Sequence, residues 1–262
     1  MATKGCVFLM YHEIELPGRP LCQSAAGYVR YILNDQTFRD QMQWLKQSGF
    51  RGLSVSEALA FPDEPSVCIT FDDGCETDLI AAAPVLRDFG FRATFYLTAG
   101  FLGTPGYLDA PKVRELDALG LEIGCHSMTH PYLPDLPELE LKREIVDAKF
   151  EIEQILGHAI EHFSCPGGRY NAHTLETARR AGFRTVANSR FRANSSDTSP
   201  YQLGRVAILR DTSLAEFAAT CRGSGLWRKQ LKDRVRQGMQ RLLGNRAYDQ
   251  IRAVLLGEHE PK

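Results

Sequence analysis

Two short stretches carry residue types that could do chemistry. Thr70-Phe71-Asp72-Asp73-Gly74 sets two carboxylates side by side, and about fifty residues later His126-Ser127-Met128-Thr129-His130 sets two imidazoles four apart. Imidazole nitrogen and carboxylate oxygen both bind a divalent ion such as Zn²⁺, which in catalytic sites keeps one position open for water. Asp73, His126 and His130 would make a three-ligand site, and Asp72 would take a proton from the water. That is the pattern of a hydrolase. Neighbouring residues on a regular strand point to opposite faces, so both carboxylates can reach one pocket only where a strand ends, and Gly74 lets the chain turn there. His126 and His130 could converge on a helical turn or in a tight loop; Pro131 disfavours helical geometry at His130.

Positioning these residues requires a scaffold, and the sequence alternates short β-rich runs with helical stretches. Residues 6–11, 52–55, 67–71, 93–98, 122–125, 162–164, 185–187 and 206–209 read as strands, being short, mostly apolar and bounded by Gly, Pro or Asp. Residues 138–156 read as the clearest helix: Leu141, Ile145, Ala148, Ile152 and Ile155 share a face, and Gly157 stands as a stop. Weaker helical patterns cover 37–47, 84–89, 111–119 and 174–181, with Pro84 and Pro111 suited to first turns. Repeated strand–helix units predict a parallel sheet, open or closed into a barrel, with its active residues at the C-terminal strand ends. His12 follows the first run, Asp72 and Asp73 the third, His126 the fifth and Ser164-Cys165-Pro166 the sixth. Residues 189–204 read as a polar loop.

The whole chain has 262 residues, 44% hydrophobic and 24% charged, enough for one large core. A net charge of −1 gives no electrostatic case for nucleic acid. No apolar run is long enough to span a bilayer, and the 6–11 run is too short for a secretory segment, so no export is expected. Seven cysteines, an odd number without zinc-ribbon spacing, suit a reducing cytosol and mostly small buried roles. From 226 to 252, eight Lys or Arg face two Asp, with Leu231, Val235, Met239, Leu242 and Leu243 at helical spacing. Such a basic amphipathic tail, 223–262, either packs its apolar stripe on the domain or lies on an anionic membrane surface.

At the two motifs the chain resembles the polysaccharide deacetylases with the NodB homology domain (carbohydrate esterase family 4). Thr-Phe-Asp-Asp-Gly at 70–74 matches the first family motif, and His-Ser-Met-Thr-His at 126–130 matches the His-[Ser/Thr]-x-x-His motif, in the same order and at the same separation. Ala93-Thr94-Phe95-Tyr96 resembles the strand between them. The resemblance spans roughly residues 5–220. It implies a distorted (β/α) barrel of about seven strands and metal-dependent removal of acetyl groups from N-acetylated sugars. By the family pattern Asp72 is the base, and Asp73, His126 and His130 hold the ion. That ion is commonly Zn²⁺, with Co²⁺, Ni²⁺ or Mn²⁺ serving in some members.

Two motifs depart from the family. Its third, Arg-x-Pro-Tyr/Phe-Gly, places an Arg that orients the base; here the stretch is Ser164-Cys165-Pro166-Gly167-Gly168, leaving Arg169 as a candidate substitute. The Gly167 backbone N–H falls where the family stabilises the oxyanion, and a backbone donor survives side-chain change. The last motif, Leu-x-His, supplies the general acid and has no match: Leu203-Gly204-Arg205 and Leu209-Arg210-Asp211 lack the His. His12, in Tyr11-His12, is the candidate for acid or substrate contact, and this Tyr-His resembles the family branch acting in exopolysaccharide and surface-glycan pathways. The resulting expectation is a cytoplasmic, metal-dependent carbohydrate deacetylase. Its substrate would be an N-acetylhexosamine on a lipid-linked or nucleotide-linked precursor, with the 226–252 tail at the inner face of the membrane. An amidase on small non-sugar amides and a non-catalytic glycan-binding protein are the alternatives.

Overall fold

The computed structural model describes residues 5–60 and 64–226. In chain order the strands are β1 (Cys6–Tyr11), β2 (Ile14–Glu15), β3 (Leu33–Asn34), β4 (Arg51–Leu53), β5 (Ser66–Asp73), β6 (Thr94–Leu97), β7 (Glu122–Cys125), β8 (His162–Ser164), β9 (Thr185–Asn188), β10 (Ala193–Asn194), β11 (Leu203–Gly204) and β12 (Val206–Ala207). The main sheet runs β10-β1-β5-β6-β7-β8-β9-β11, with β12 also on β1 and β4 also on β5. Neighbours from β1 to β9 are parallel, and β10 is antiparallel to β1. Leu203–Gly204 pairs with β9 while Val206–Ala207, one residue on, pairs with β1. The chain at 203–207 therefore links the last strand to the first and nearly closes the barrel, and Arg205 sits at the join.

Each strand sorts its residues by period two. Val7, Leu9, Tyr11, Val67, Ile69, Phe71, Phe95, Ile123 and Phe163 belong to the large core that packs against the helices. Phe71 stacks between Tyr11 and Phe95, at centroid distances of 5.2 and 4.8 Å. The alternate residues Cys6, Phe8, Cys68, Tyr96, Ala187 and Leu203 form a second, smaller cluster inside the barrel. Gly124 makes room there: a Cβ would come within 2.6 Å of the Tyr96 ring. Continuing the inner alternation to the strand ends brings up His12, Asp72, His126, Ser164 and Arg205.

The helices follow the apolar spacing. Asp35–Gln47 begins at an Asn34 side chain that accepts the Thr37 N–H, and Pro sits in the first turn of both Ala83–Phe89 and Ala110–Ala118. The stretch 138–156 is helical throughout, ending at Gly157 in the left-handed region (φ 79°), but Arg143–Asp147 is a π turn. That widened turn carries the buried Glu144. Residues 189–204 are not simply a loop. Ala193–Asn194 and Leu203–Gly204 are strands, joined by the Asn194 side chain, which donates to the Gly204 carbonyl (2.8 Å) and accepts its N–H (2.9 Å). Two-residue strands are too short to leave a periodic signature. The tail from 227 onward lies outside the described residues, and no described helix is long and apolar enough to cross a membrane.

Candidate active site

Asp72 and Asp73 end β5. By parity Asp72 faces the barrel interior, and Asp73 in a regular strand would face the helices with Phe71. Asp73 instead adopts φ 80°, which turns it toward the side its neighbour faces. The turn thus begins at Asp73 itself, one residue before Gly74. Left-handed geometry at a non-glycine residue is strained by roughly 1–3 kcal/mol and clusters at functional sites. Ser127 (φ 71°) and His130 (φ 62°) share it.

The 126–130 segment is a loop, not a helical turn. The His130 N–H donates to Ser127 Oγ (3.0 Å), and Glu144 accepts from Met128 N (2.9 Å), Thr129 N (2.8 Å) and Thr129 Oγ1 (2.6 Å). The π turn thus clamps the loop on three donors and brings the two rings to 4.9 Å between centroids. His126 donates from Nδ1 to the Ser164 carbonyl (2.9 Å), which leaves the Nε2 lone pair facing the aspartates. This is the usual way a ligating imidazole is oriented.

Asp73 Oδ1 lies 3.7 Å from His126 Nε2 and 3.6 Å from His130 Nε2. One donor atom from each of the three residues falls within 4.8 Å of the others. Asp73 Oδ1 is buried with no hydrogen-bond partner among the described residues. Burial lowers the His126 pKa to about 4, so its imidazole is neutral, the form that ligates. An orphaned carboxylate oxygen facing two imidazole nitrogens fits a divalent ion with a nitrogen and oxygen preference.

Asp72 has a different partner. Arg205 donates Nη1 to Oδ1 and Nη2 to Oδ2, both at 2.7 Å, with the Arg205 side chain fully buried. Arg205 also donates to Ser164 Oγ (2.7 Å) and Thr70 Oγ1 (3.1 Å), and lies 5.3 Å from the Tyr96 ring centre. Burial alone would raise the Asp72 carboxyl, but the charge and the hydrogen bonds of Arg205 overcome it and hold the group well below the usual carboxylate range. Asp72 is therefore ionised and fixed in orientation.

The arginine that meets Asp72 is thus not Arg169. Arg169 instead stacks over the Tyr132 ring at 3.7 Å. The guanidinium missing from the 164 position comes from Arg205, forty-one residues further along, in Leu203-Gly204-Arg205, the stretch that lacks the family's histidine. Its inward parity with Leu203 was the signal available. Ser164 serves as a small hydroxyl that receives the guanidinium. Gly167 lies just past β8 in the left-handed region (φ 59°), with the Tyr132 ring against it. His12 follows β1 with its ring 4.8 Å from that of Tyr31 and a buried Nδ1 without a partner among the described residues. Burial lowers its pKa against the opposing pull of Asp73 and Asp72.

Comparison with known proteins points the same way. The family model for polysaccharide deacetylase matches residues 61–186. YxkH of Bacillus subtilis (strain 168) is 29% identical over 217 residues, covering 80% of this chain and 74% of that protein. The peptidoglycan-N-acetylglucosamine deacetylase of Bacillus cereus is 32% identical over 125 residues, covering 47% of this chain and 56% of its own length. Among solved structures, the Streptococcus pyogenes deacetylase PplD in complex with acetate superposes with a TM-score of 0.73 at 25% identity, covering 83% of this chain and 98% of that one.

Proposed function

Because this chain belongs to the polysaccharide deacetylase family, we propose that it hydrolyses the acetyl amide of an N-acetylated sugar, with a divalent ion held by Asp73, His126 and His130. The observation that carries this reading is an ionised carboxylate, Asp72, gripped by a buried arginine beside three converging metal donors. A binding protein has no need of a base so held.

The donor set, two imidazoles and one carboxylate, suits Zn²⁺. The ion, when bound, supplies a Lewis acid for the acetyl carbonyl and acidifies the attacking water. Asp72 receives that water's proton, and Arg205 keeps the carboxylate aimed and charged before the transfer. The Gly167 N–H is the oxyanion donor, and the Tyr132 ring beside it walls the pocket. His12, at the end of β1 with an unpartnered Nδ1 among the described residues, is the candidate acid for the leaving nitrogen.

The basic 226–252 stretch supports a lipid-linked precursor as substrate, handled at an anionic membrane surface on the cytoplasmic side. A nucleotide-linked N-acetylhexosamine is the soluble counterpart. The test is acetate release from free, nucleotide-linked and lipid-linked N-acetylhexosamines by wild type, Asp72→Asn and His126→Ala. Release by wild type alone is expected. No release from any of the three by protein shown to hold its ion would reject the deacetylase reading.

A further inference from the structure

A second group of soft and hard donors lies beside this site and shares none of its residues. Glu13 follows His12 at the end of β1 and is 1% exposed. Both of its oxygens accept the Cys22 N–H, at 3.1 Å each, which draws the segment after β2 over it. Cys75 follows Gly74, bridges to Tyr107 and is fully buried, with its sulfur 3.3 Å from the Tyr28 hydroxyl. One donor atom each of Glu13, Cys22 and Cys75 lies within 4.8 Å of the others. Ligands about 2.3 Å from a tetrahedral ion sit roughly 3.8 Å apart, so small side-chain shifts would close this group on one ion.

We propose that Glu13, Cys22 and Cys75 form a second cation site, which takes a thiophilic divalent ion such as Zn²⁺ through two thiolates and a carboxylate.

A second observation points to a cation here. Asp78 begins the π turn Asp78–Ala82, its N–H donating to the Cys75 carbonyl (3.0 Å). It is 0% exposed, and neither carboxylate oxygen has a hydrogen-bond partner among the described residues. The groups acting most strongly on it are Asp73, Cys22, Glu13 and Asp72, each acidic. Buried acidic groups are normally paired or bound to metal, and a cation among Glu13, Cys22 and Cys75 would supply what Asp78 lacks. The other buried cysteines differ: Cys6, Cys68, Cys125, Cys165 and Cys221 lie within the two apolar clusters. Sulfur selects Zn²⁺ over the hard cations. Such an ion would tie the segment at Cys22 and the Tyr107 loop to the chain just past Asp73, bracing the catalytic turn from outside.

The experiment uses reduced, metal-stripped full-length protein titrated with Co²⁺, read by thiolate-to-cobalt charge-transfer absorption and by metal content. Wild type should show the band and bind two ions per chain. An Asp73→Asn, His126→Ala, His130→Ala triple variant should keep the band and lose one ion; this separates the present site from the catalytic one. Cys22→Ser, on a half-exposed segment, should lose the band and one ion while acetate release and near-ultraviolet circular dichroism establish that the fold persists. A wild-type titration without the band overturns the proposal, whatever the variants do. So does a Cys22–Cys75 disulfide in protein purified without oxygen.

Discussion

Arg205 and Asp72 meet through two parallel N–H···O contacts of 2.7 Å each, deep in the barrel and 133 residues apart in the chain. The bidentate geometry fixes the carboxylate plane, which a point charge would not. The pair exists because the 203–207 segment closes the barrel, so the same residue that joins the last strand to the first also orients Asp72. Barrel closure and the proposed catalysis are coupled through one side chain.

Replacing Arg205 should therefore cost both stability and activity. Arg205→Gln leaves Asp72 buried without its cation, and breaking a buried pair costs about 3–5 kcal/mol; urea denaturation reads this. Without Arg205 the burial of Asp72 dominates, its pKa rises, and the acid limb of kcat/KM should move to higher pH. Arg169→Ala removes the guanidinium stacked on Tyr132, which does not meet Asp72, and should leave that limb in place. An unchanged acid limb in Arg205→Gln would show that the guanidinium does not set the charge of Asp72.

Asp72→Asn keeps the shape and removes the proton acceptor. A loss of about 10²–10⁴ in kcat is expected, the usual contribution of a general base. Ion content should be unchanged, because Asp72 is not among the three donors. Steady-state acetate release paired with metal analysis checks this; loss of the ion from Asp72→Asn would move Asp72 into the ligand set.

Glu144 lies outside the three-donor group, yet it holds three donors of the loop that presents His126 and His130. Groups that orient ligands in this way are worth on the order of 10–100-fold in metal affinity. Glu144→Gln should weaken Zn²⁺ binding by that factor in competition with a chromophoric chelator. Excess Zn²⁺ should restore its activity. His130→Ala should stay inactive at any Zn²⁺ concentration.

At the other end of the barrel, Glu122 gives a pH signature independent of the ion. It accepts from Val55 N (3.0 Å) and Thr94 Oγ1, and lies 3.3 Å from His162 Nε2. Burial raises its pKa, but the hydrogen bond and charge of His162 together with Ser56 and Thr94 prevail and lower it from 4.5 to about 2. A depressed carboxylate contributes stability above its unfolded pKa and loses it as pH falls through the folded one. Glu122 should thus contribute about 3 kcal/mol at neutral pH, lost between pH 4.5 and about 2. Glu122→Gln should lose that contribution at neutral pH and show a flatter acid denaturation profile in that window. Equal slopes for the two proteins would count against the charge network.

The sequence by itself determined the main strands, the long helix at 138–156 and the four residues Asp72, Asp73, His126 and His130. These rest on local information: apolar period, glycine stops, and motifs whose members lie within five residues of one another. Alternation along β5 implied that Asp72 and Asp73 could share a pocket only at the strand end, but not that Asp73 itself escapes its parity through a left-handed turn. Tertiary structure alone decided which arginine meets Asp72. Arg169 is near the motif in sequence and Arg205 is far from it, but a barrel brings its ends together, so the guanidinium arrives across the closing seam. The same holds for Glu144 on its π turn and for Glu13, Cys22 and Cys75, drawn from three separate segments. Each of these groupings depends on how strands close and loops fold back over them, and no short window of sequence records that.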